Sequence, residues 1–189
     1  MIEIAERYRS IGGQFTQRLH DVPDDAWDKP SPCEGWVARD VVAHLVEWLP
    51  AFFFPTWGIE VRSHPPVDED PVAAWEVVDR TIQAALDDPE VARLERDTPL
   101  GRKSFEDTID MICTGDLLLH TWDVARATGL DDTLDPDLVH RMLEGMEPYD
   151  EAMRKSGHYG PRVEVPADAD EQTRLIAFTG RDPSWGRNS

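Results

Sequence analysis

Two histidines and an aspartate stand at spacings that favour a metal centre. Asp116 precedes His120 by four residues in GDLLLHTWDVARATG, and His44 lies in WVARDVVAHLVEW. Positions four apart share one face of a helix, so this pair and a histidine from a neighbouring helix would supply three ligands and leave one coordination position open. A catalytic divalent metal needs an open position, whereas structural zinc sites are closed. We therefore predict His44, Asp116 and His120 as metal ligands.

Two further acids, Asp123 and Glu47, are candidate catalytic residues. On a helical wheel Asp116 and Asp123 lie about 40° and about 60° from His120, on a face that is otherwise apolar. Carboxylates and an imidazole on a core face are costly unless they are paired or bound to metal. Asp123 either pairs with Arg126 or accepts a hydrogen bond from the ring of a ligand histidine. Glu47, one helical turn after the first histidine, is a general base, a further ligand or an ordinary solvated acid.

Each of these residues also has an explanation that needs no metal. A histidine on an apolar face is more often a hydrogen-bonded core residue than a ligand, and an Asp–His pair often forms only a hydrogen bond. Polar groups that face inward on two separate helices support the metal hypothesis. Cys113 lies about 10.5 Å along the helix from His120, too far to share a metal, and Cys33 has no evident catalytic partner. We expect no ligand among the remaining histidines, which are His20, His64, His140 and His158.

The apolar periodicity predicts an all-α protein with almost no strand signal. The predicted helices cover 2–21, 37–53, 71–86, 105–128, 136–147 and 170–180. The segments expected to be irregular are 55–70 and 150–168, with 87–103 either a loop or a short hairpin. Helices of this length favour a four-helix bundle with extra short C-terminal helices, which we expect to form a single domain over residues 1–189.

Local capping signals define several helix ends. Asp70-Pro71 and Asp135-Pro136 each combine an N-cap with proline at the first helical position. Ser104 with Asp107 resembles a capping box, and Gly129 marks the end of the fourth long helix. These signals are independent of the apolar pattern and agree with it.

Composition excludes several classes of function. Acidic residues outnumber basic ones 38 to 19, which gives a net charge of −19, and such a field repels nucleic acids and anionic lipids. No apolar run reaches the roughly 18–20 residues of a membrane span. The N-terminus lacks the apolar stretch of a secretory signal, so we expect a cytoplasmic protein with no membrane partner. The sequence contains no Gly-rich phosphate loop, G-x-S-x-G or C-x-x-C motif.

The chain resembles the DinB-like superfamily of four-helix metal-binding proteins. Within it, the chain is similar to the actinobacterial group related to the metal-binding domain of mycothiol-dependent maleylpyruvate isomerases. The resemblance rests on the segments CEGWVARDVVAHLVEW (33–48), GDLLLHTWDVARATG (115–129) and RLIAFTGRDPSW (174–185). It implies that His44, Asp116 and His120 hold zinc or nickel and that mycothiol is a cosubstrate.

The chain also departs from that pattern. Many members have His or Glu where this chain has Asp116, whose shorter carboxylate reaches less far. Val37 replaces the Ser or Thr that opens the second helix in the family, a lost N-cap worth about 1 kcal/mol. The chain ends soon after RDPSW, so we expect no counterpart of the isomerase's C-terminal domain and assign no isomerase activity.

Three hypotheses for function remain open on the sequence. The first is a metal-dependent transferase, in which a small thiol, activated at the open position, attacks an electrophilic substrate; Asp123 orients a ligand ring and Glu47 accepts a proton. The second is a metal-assisted hydrolase. The third is a metal-binding or small-molecule-binding bundle without catalysis. Apolar residues such as Phe52–Phe54 offer a face for a homodimer.

Overall fold

The computed structural model describes residues 3–99, 101–156 and 159–186, so the expectation for His158 lies outside the described residues. The described elements are mostly helices, and one short β-hairpin stands between the fourth and the fifth helix. They are α1 Ile4–His20, α2 Ala38–Trp57, α3 Pro71–Asp87, α4 Pro89–Ala92, β1 Arg96–Thr98, β2 Gly101–Lys103, α5 Phe105–Thr108, α6 Thr114–Thr128, α7 Pro136–Met146, α8 Asp150–Ser156 and α9 Glu171–Phe178.

The four long helices α1, α3, α2 and α6 pack in that order around a closed ring, so that each lies against two others. Their inward faces form the main apolar core, with large buried side chains from every helix, including Phe15, Leu45, Trp75 and Leu117. This is the four-helix bundle that the periodicity predicts, and the all-α fold is confirmed. Because α2 and α6 are neighbours in the ring, residues on their facing sides can meet.

Helices α7 and α9 pack on each other and form a second layer on the outer side of α6. A second apolar cluster joins them, to which α6 contributes Leu118, Leu119 and Trp122. Helix α6 is therefore covered on both sides, and every residue from Leu117 to Ala125 is buried. Any polar side chain in that stretch must find its partners inside the protein.

Helix α6 is preceded by a π-helical turn, Ile109–Cys113, which continues directly from α5. Ser104 caps α5 by accepting a hydrogen bond from the Asp107 backbone N–H at 3.1 Å. Gly129 ends α6 in the left-handed conformation, with φ 77°. A single continuous helix over 105–128 is therefore nearly correct, with one wider turn just before the candidate ligands, a place where such turns often accompany function.

The structure corrects two sequence expectations and selects between the alternatives for a third segment. Helix α2 runs through Pro50 and Pro55 to Trp57, instead of ending at residue 53, because Phe54 and Trp57 are buried in the core. Of the two alternatives for 87–103, the hairpin is present. The segment 150–168 is not wholly irregular, since α8 forms where Arg154 pairs with Asp150 and contacts the ring of Phe178.

Two other outcomes concern helix starts and the membrane. Val37 provides no side-chain cap, but its backbone N–H donates to Asp40 at 2.8 Å, which keeps half of a capping box. Among the described residues, no helix is both long and apolar enough to cross a membrane. That residues 1–189 form a single domain stays a prediction.

A buried polar pair ties α1 to α3. The Tyr8 hydroxyl donates to Asp79 Oδ1 at 3.0 Å, and burial raises the pKa of the Asp79 carboxyl. Gly12 makes this approach possible, because a Cβ there would lie 2.6 Å from the same oxygen. At the adjacent Gly13, a Cβ would meet nothing within 4 Å.

The two glycines therefore predict opposite effects of the same substitution. Gly12→Ala should displace Asp79 and break its buried hydrogen bond, which lowers the free energy of unfolding by about 1–3 kcal/mol. This loss exceeds the gain of about 1 kcal/mol that alanine brings through its higher helix propensity. Gly13→Ala should gain about 0.5–1 kcal/mol. Urea unfolding followed by circular dichroism measures both, and equal stabilisation by the two variants would contradict the steric argument.

Candidate metal centre

The three predicted ligands meet where α2 faces α6. His44 projects from α2, while Asp116 and His120 lie one turn apart on α6. The His120 Nε2 atom lies 3.4 Å from Asp116 Oδ1, and His44 Nε2 lies 3.6 Å from Asp116 Oδ2. One ligand atom from each residue can be chosen so that all three lie within 4.8 Å of one another. We call His44, Asp116 and His120 the metal triad.

The geometry of the metal triad fits a divalent cation. Atoms bound at about 2.0–2.2 Å to one tetrahedral metal lie roughly 3.3–3.6 Å apart, close to the two spacings between the Asp116 carboxylate and the imidazoles. Within the described part of the chain, Asp116 Oδ2 is buried and has no hydrogen-bond partner. The carboxylate of Asp116 lies between two imidazoles, with Oδ1 towards His120 and Oδ2 towards His44, and a buried oxygen that accepts no hydrogen bond is a natural position for a metal ligand.

One side of the metal triad is open to solvent. The side chains of His44 and Asp116 are 29% and 22% exposed, whereas that of His120 is 6% exposed. Three protein ligands with an accessible side match a site that binds water or substrate at its remaining position, and differ from a closed structural site.

Asp123 holds the ring of His120 from behind. Its Oδ2 atom lies 2.8 Å from His120 Nδ1, so Nδ1–H donates to the carboxylate and Nε2 faces Asp116. Of the two sequence alternatives for Asp123, the contact with the ring of His120, a predicted ligand, is therefore observed. The pairing with Arg126 is not, because Arg126 instead contacts Asp132 at 2.5 Å and the carbonyls of Pro183 and Trp185.

Arg181 is the actual cationic partner of Asp123. Its Nε and Nη2 atoms donate to Oδ1 and Oδ2 of Asp123, each at 2.8 Å, in a bidentate pair. Asp123 itself is fully buried. Arg181 lies in the segment that follows α9, so the C-terminal part of the chain completes the support of a ligand on α6.

The electrostatics of the cluster follow from these contacts. Burial raises the pKa of the Asp123 carboxyl, but Arg181 and then His120 outweigh it and hold the pKa far below its ordinary value. Burial lowers the pKa of His120, but Asp116 and the hydrogen bonds with Asp123 and Cys33 raise it to about 10. Without metal His120 is an imidazolium, and a cation on Nε2 would replace that proton.

A second group of potential ligands, Cys33, His120 and Asp123, lies on the other side of the same imidazole. The Cys33 thiol contacts Asp123 Oδ2 at 3.4 Å. Both oxygens of Asp123 already accept strong hydrogen bonds, and the guanidinium of Arg181 repels a cation there. The metal triad is therefore the better site, and Cys33 belongs to its supporting network.

The other sequence candidates lie outside this cluster. Glu47 is exposed, and no contact between it and the metal triad is found in the described residues, so its role as proton acceptor stays a prediction. His20 pairs with Glu76 and His140 with Glu171, and that neither histidine is a ligand stays a prediction. Cys113 is buried in the main core.

Sequence reasoning missed two residues of the site, Arg181 and Trp36. The apolar surroundings of Asp123 implied a cationic partner for its carboxylate. Arg126, the nearest arginine in sequence, is not that partner. The available signal was the position of Arg181 in the segment RLIAFTGRDPSW, which matched the family without an assigned role. Trp36 contacts both imidazoles of the metal triad, with ring centroids 5.2 Å from His44 and 6.4 Å from His120.

Comparison with known proteins gives a family match over the first part of the chain. Residues 8–53 match the family described as the mycothiol maleylpyruvate isomerase N-terminal domain. The predicted resemblance is confirmed. The matched region covers most of α1 and α2 and includes His44, while the two ligands on α6 lie beyond it.

Relatives of similar length extend the likeness to most of the chain. Two uncharacterized proteins of Mycobacterium tuberculosis, from strains CDC 1551 and H37Rv, are each 27% identical over 169 residues. The alignment covers 88% of this chain and 91% of each relative. No solved structure matches the chain.

Loss of the contact between Arg181 and Asp123 should weaken metal binding, although Arg181 is not itself a predicted ligand. Arg181→Gln removes the charged partner of Asp123 and loosens the ring of His120, and loss of such support costs about 10- to 100-fold in affinity. Arg181→Lys keeps the charge without the bidentate geometry and should fall between. Zinc affinity measured by chelator competition tests this.

The control for this prediction is Arg174→Gln, which removes a more exposed arginine paired with Glu147 at 3.3 Å. Its zinc affinity should equal that of the wild type. Circular dichroism of each variant separates loss of metal binding from loss of fold. A folded Arg181→Gln protein with unchanged affinity would show that the support of Asp123 is unimportant for the metal.

Proposed function

We propose that this protein is a divalent-metal-dependent transferase that joins a small thiol to an electrophilic organic molecule. The observation that carries the proposal is the metal triad, in which the carboxylate of Asp116 lies between two imidazoles on a partly exposed side. In the described part of the chain, its Oδ2 atom is buried and accepts no hydrogen bond. Two nitrogen ligands and one carboxylate suit zinc or nickel. A divalent cation held by His44, Asp116 and His120 would supply a lowered pKa for a coordinating thiol and so favour its thiolate form.

The residues around the metal triad would have separate tasks. Asp123 fixes the tautomer and orientation of His120 through Nδ1, so that Nε2 is directed at the cation. Arg181 keeps Asp123 ionised and in place. Trp36 covers the two imidazoles on one side and limits access of water. Asp116 partly neutralises the added positive charge.

The family match is the support for mycothiol as the thiol. The matched region takes its name from a mycothiol maleylpyruvate isomerase domain, and the relatives of similar length come from Mycobacterium tuberculosis. The net charge of −19 is unfavourable for nucleic acid partners. We therefore propose mycothiol and a small electrophile as the partners, in the cytoplasm.

Transfer to a thiol is favoured over hydrolysis because, among the described residues, no free carboxylate base is found beside the metal triad. Hydrolysis would need a carboxylate that accepts a proton from water beside the metal. In the described residues, Asp123 is fully engaged by Arg181 and His120, and Glu47 makes no contact with the metal triad. A thiol activated by coordination needs less help from a separate base, because its ordinary pKa is already near 8.5.

Metal content is the first test of the proposal. Protein purified without a histidine tag should contain about one zinc or nickel per chain by elemental mass spectrometry. His44→Ala and His120→Ala should each abolish the metal content, because a metal held by only two protein ligands is bound too weakly to be retained during purification. His140→Ala is the matched control, since that histidine is exposed and paired with Glu171. A wild-type protein that takes up neither metal would refute the proposed function.

Thiol-dependent turnover is the second test. The zinc-loaded protein should accelerate displacement of chloride from 1-chloro-2,4-dinitrobenzene by mycothiol, with formation of the thioether and release of chloride. His120→Ala should lower the rate at least about 100-fold, the scale expected when a metal's electrostatic stabilisation is lost. Product formation from an ester substrate without any thiol would instead indicate the hydrolase. If the metal-loaded protein is inactive in both assays, the remaining hypothesis is a metal-binding bundle without catalysis.

A further inference from the structure

One turn of the helix that leads to the metal triad is wider than its neighbours. Residues Ile109–Cys113 form a π-helical turn between α5 and α6, and the Thr114 backbone N–H donates to the Ile109 carbonyl, five residues back. The Thr114 hydroxyl donates to the same oxygen at 3.3 Å. A π-helical turn holds one residue more than an α-helical turn, so the helix carries an inserted residue at this point.

An exposed apolar side chain lies in this wide turn. The large apolar side chains that are exposed in the described part of the chain are Phe52, Met111 and Tyr149. The predicted dimer face Phe52–Phe54 is thus reduced to one ring, because the other two are buried. Met111 is 52% exposed, whereas Ile109 and Cys113 at the two ends of the turn are fully buried. The core therefore does not depend on the side chain of Met111.

The inserted residue aligns the core faces of α5 and α6. Ile109 and Leu117 both lie in the main core, but the eight residues between their positions would turn them about 80° apart in a regular α-helix. With one residue taken up by the wide turn, they lie about 20° apart. A regular helix would therefore rotate α6 by about 100° relative to α5, and would turn Asp116 and His120 away from His44.

Asp110 anchors the wide turn to two other helices. Its Oδ1 atom accepts a hydrogen bond from Arg7 Nε on α1 at 2.7 Å, and its Oδ2 atom accepts one from Arg141 Nη2 on α7 at 2.8 Å. The side chains of Arg7 and Asp110 are 11% and 18% exposed, so water screens this ion pair less than one on the surface. Seven residues of regular helix would instead direct Asp110 within about 20° of Leu117, towards the apolar core.

Helix α7 also contacts the other end of the turn. Met142, which follows Arg141, approaches Gly115 so closely that a Cβ there would lie 3.1 Å from the Met142 Cε atom. Gly115 directly precedes the candidate ligand Asp116. Two consecutive residues of α7 thus contact the helix before and after the wide turn, at the point where the ligands of α6 begin.

We propose that the π-helical turn sets the rotation of α6 that brings Asp116 and His120 to face His44, and that Asp110 is a positioning residue for the metal triad. The inference rests on the proposed function for the role of these three residues as metal ligands. The contacts of Asp110 select one rotation of the helix, because any other rotation would separate its carboxylate from both arginines.

Removal of the inserted residue tests the role of the turn. Deletion of Met111 takes out one exposed residue and should convert the wide turn into a regular one. Zinc affinity, measured by chelator competition, should fall at least about 100-fold, because loss of the supporting contacts of a ligand alone costs about 10- to 100-fold. Met111→Ala is the matched control, since it keeps the number of residues and should bind zinc as tightly as the wild type.

Asp110→Asn tests the anchor, and it remains informative if the deletion variant fails to fold. It keeps the shape of the side chain but removes the charge that both arginines contact. Zinc affinity should fall about three- to tenfold, less than for a residue that contacts a ligand directly. Asp87→Asn is the control, because Asp87 on α3 pairs with another arginine of α1, Arg9, at 2.6 Å; its zinc affinity should equal that of the wild type.

A second readout needs no metal. The rings of His44 and His120 have centroids 5.1 Å apart, so their protons should show a nuclear Overhauser effect in metal-free protein labelled with 13C-histidine. Deletion of Met111 should abolish this effect, Asp110→Asn should weaken it, and Met111→Ala should leave it unchanged. Circular dichroism shows whether each variant is folded, and His44→Ala and His120→Ala assign the signals.

Three results would overturn the inference. A folded deletion variant with the zinc affinity of the wild type would show that the rotation of α6 does not depend on the wide turn. An Asp110→Asn protein with unchanged affinity and an unchanged Overhauser effect would show that the anchor is not needed. An equal loss of affinity in Asp87→Asn would attribute the effect to general destabilisation.

The outcomes also separate this inference from the proposed function. A wild-type protein that takes up no metal, but loses the contact between His44 and His120 when Met111 is deleted, would support the positioning role and refute the proposed function. Metal-dependent thiol transfer at equal rates by the wild type and the deletion variant would support the proposed function and refute the inference.

Discussion

The candidate site depends on one buried carboxylate, that of Asp123. It is fully buried on a helix that is covered on both sides, and an uncompensated charge in such a place costs several kcal/mol. The bidentate contact with Arg181 and the hydrogen bond from His120 compensate it. Because each partner is needed by the same carboxylate, the position of His120 and the position of the C-terminal segment are linked.

That link explains why the protein has a second layer of helices. The four-helix bundle alone would leave the outer face of α6 exposed, with Leu118, Leu119 and Trp122 in water. Helices α7 and α9 cover this face, and the segment after α9 delivers Arg181 to Asp123. The same side chains that complete the second core thus complete the support of the metal triad.

The other side of the metal triad has the opposite character. Helix α2 contributes a candidate ligand, His44, and a line of stacked rings that remain partly exposed. The α6 side of the metal triad is rigidly held, and the α2 side is open to solvent. This division suits a centre that must hold a cation in fixed geometry and still admit a second molecule. The π-helical turn before α6 is located at the start of the rigid half.

The local pattern of the sequence was enough to predict the helices, their capped starts and the face of α6 that carries Asp116 and His120. These features depend on residues within one or two turns of each other, where helical periodicity and capping act. The meeting of His44 with that face followed from both being polar positions on apolar stripes. The same reasoning predicted too early an end for α2. The free energy gained by burying Phe54 and Trp57 outweighs the cost of Pro55 within the helix.

Only the tertiary structure decided which cation balances Asp123, which face of the bundle is open, and which aromatic rings are exposed. Arg181 is 58 residues from Asp123 in sequence, and pairing over that distance depends on how α9 docks on α6. Likewise, Phe52 and Phe53 are adjacent and chemically identical, yet one lies at the surface and one in the core. The sequence by itself determined the elements and the metal triad as a hypothesis; long-range packing determined its supporting contacts, because burial and charge compensation exist only after the helices have assembled.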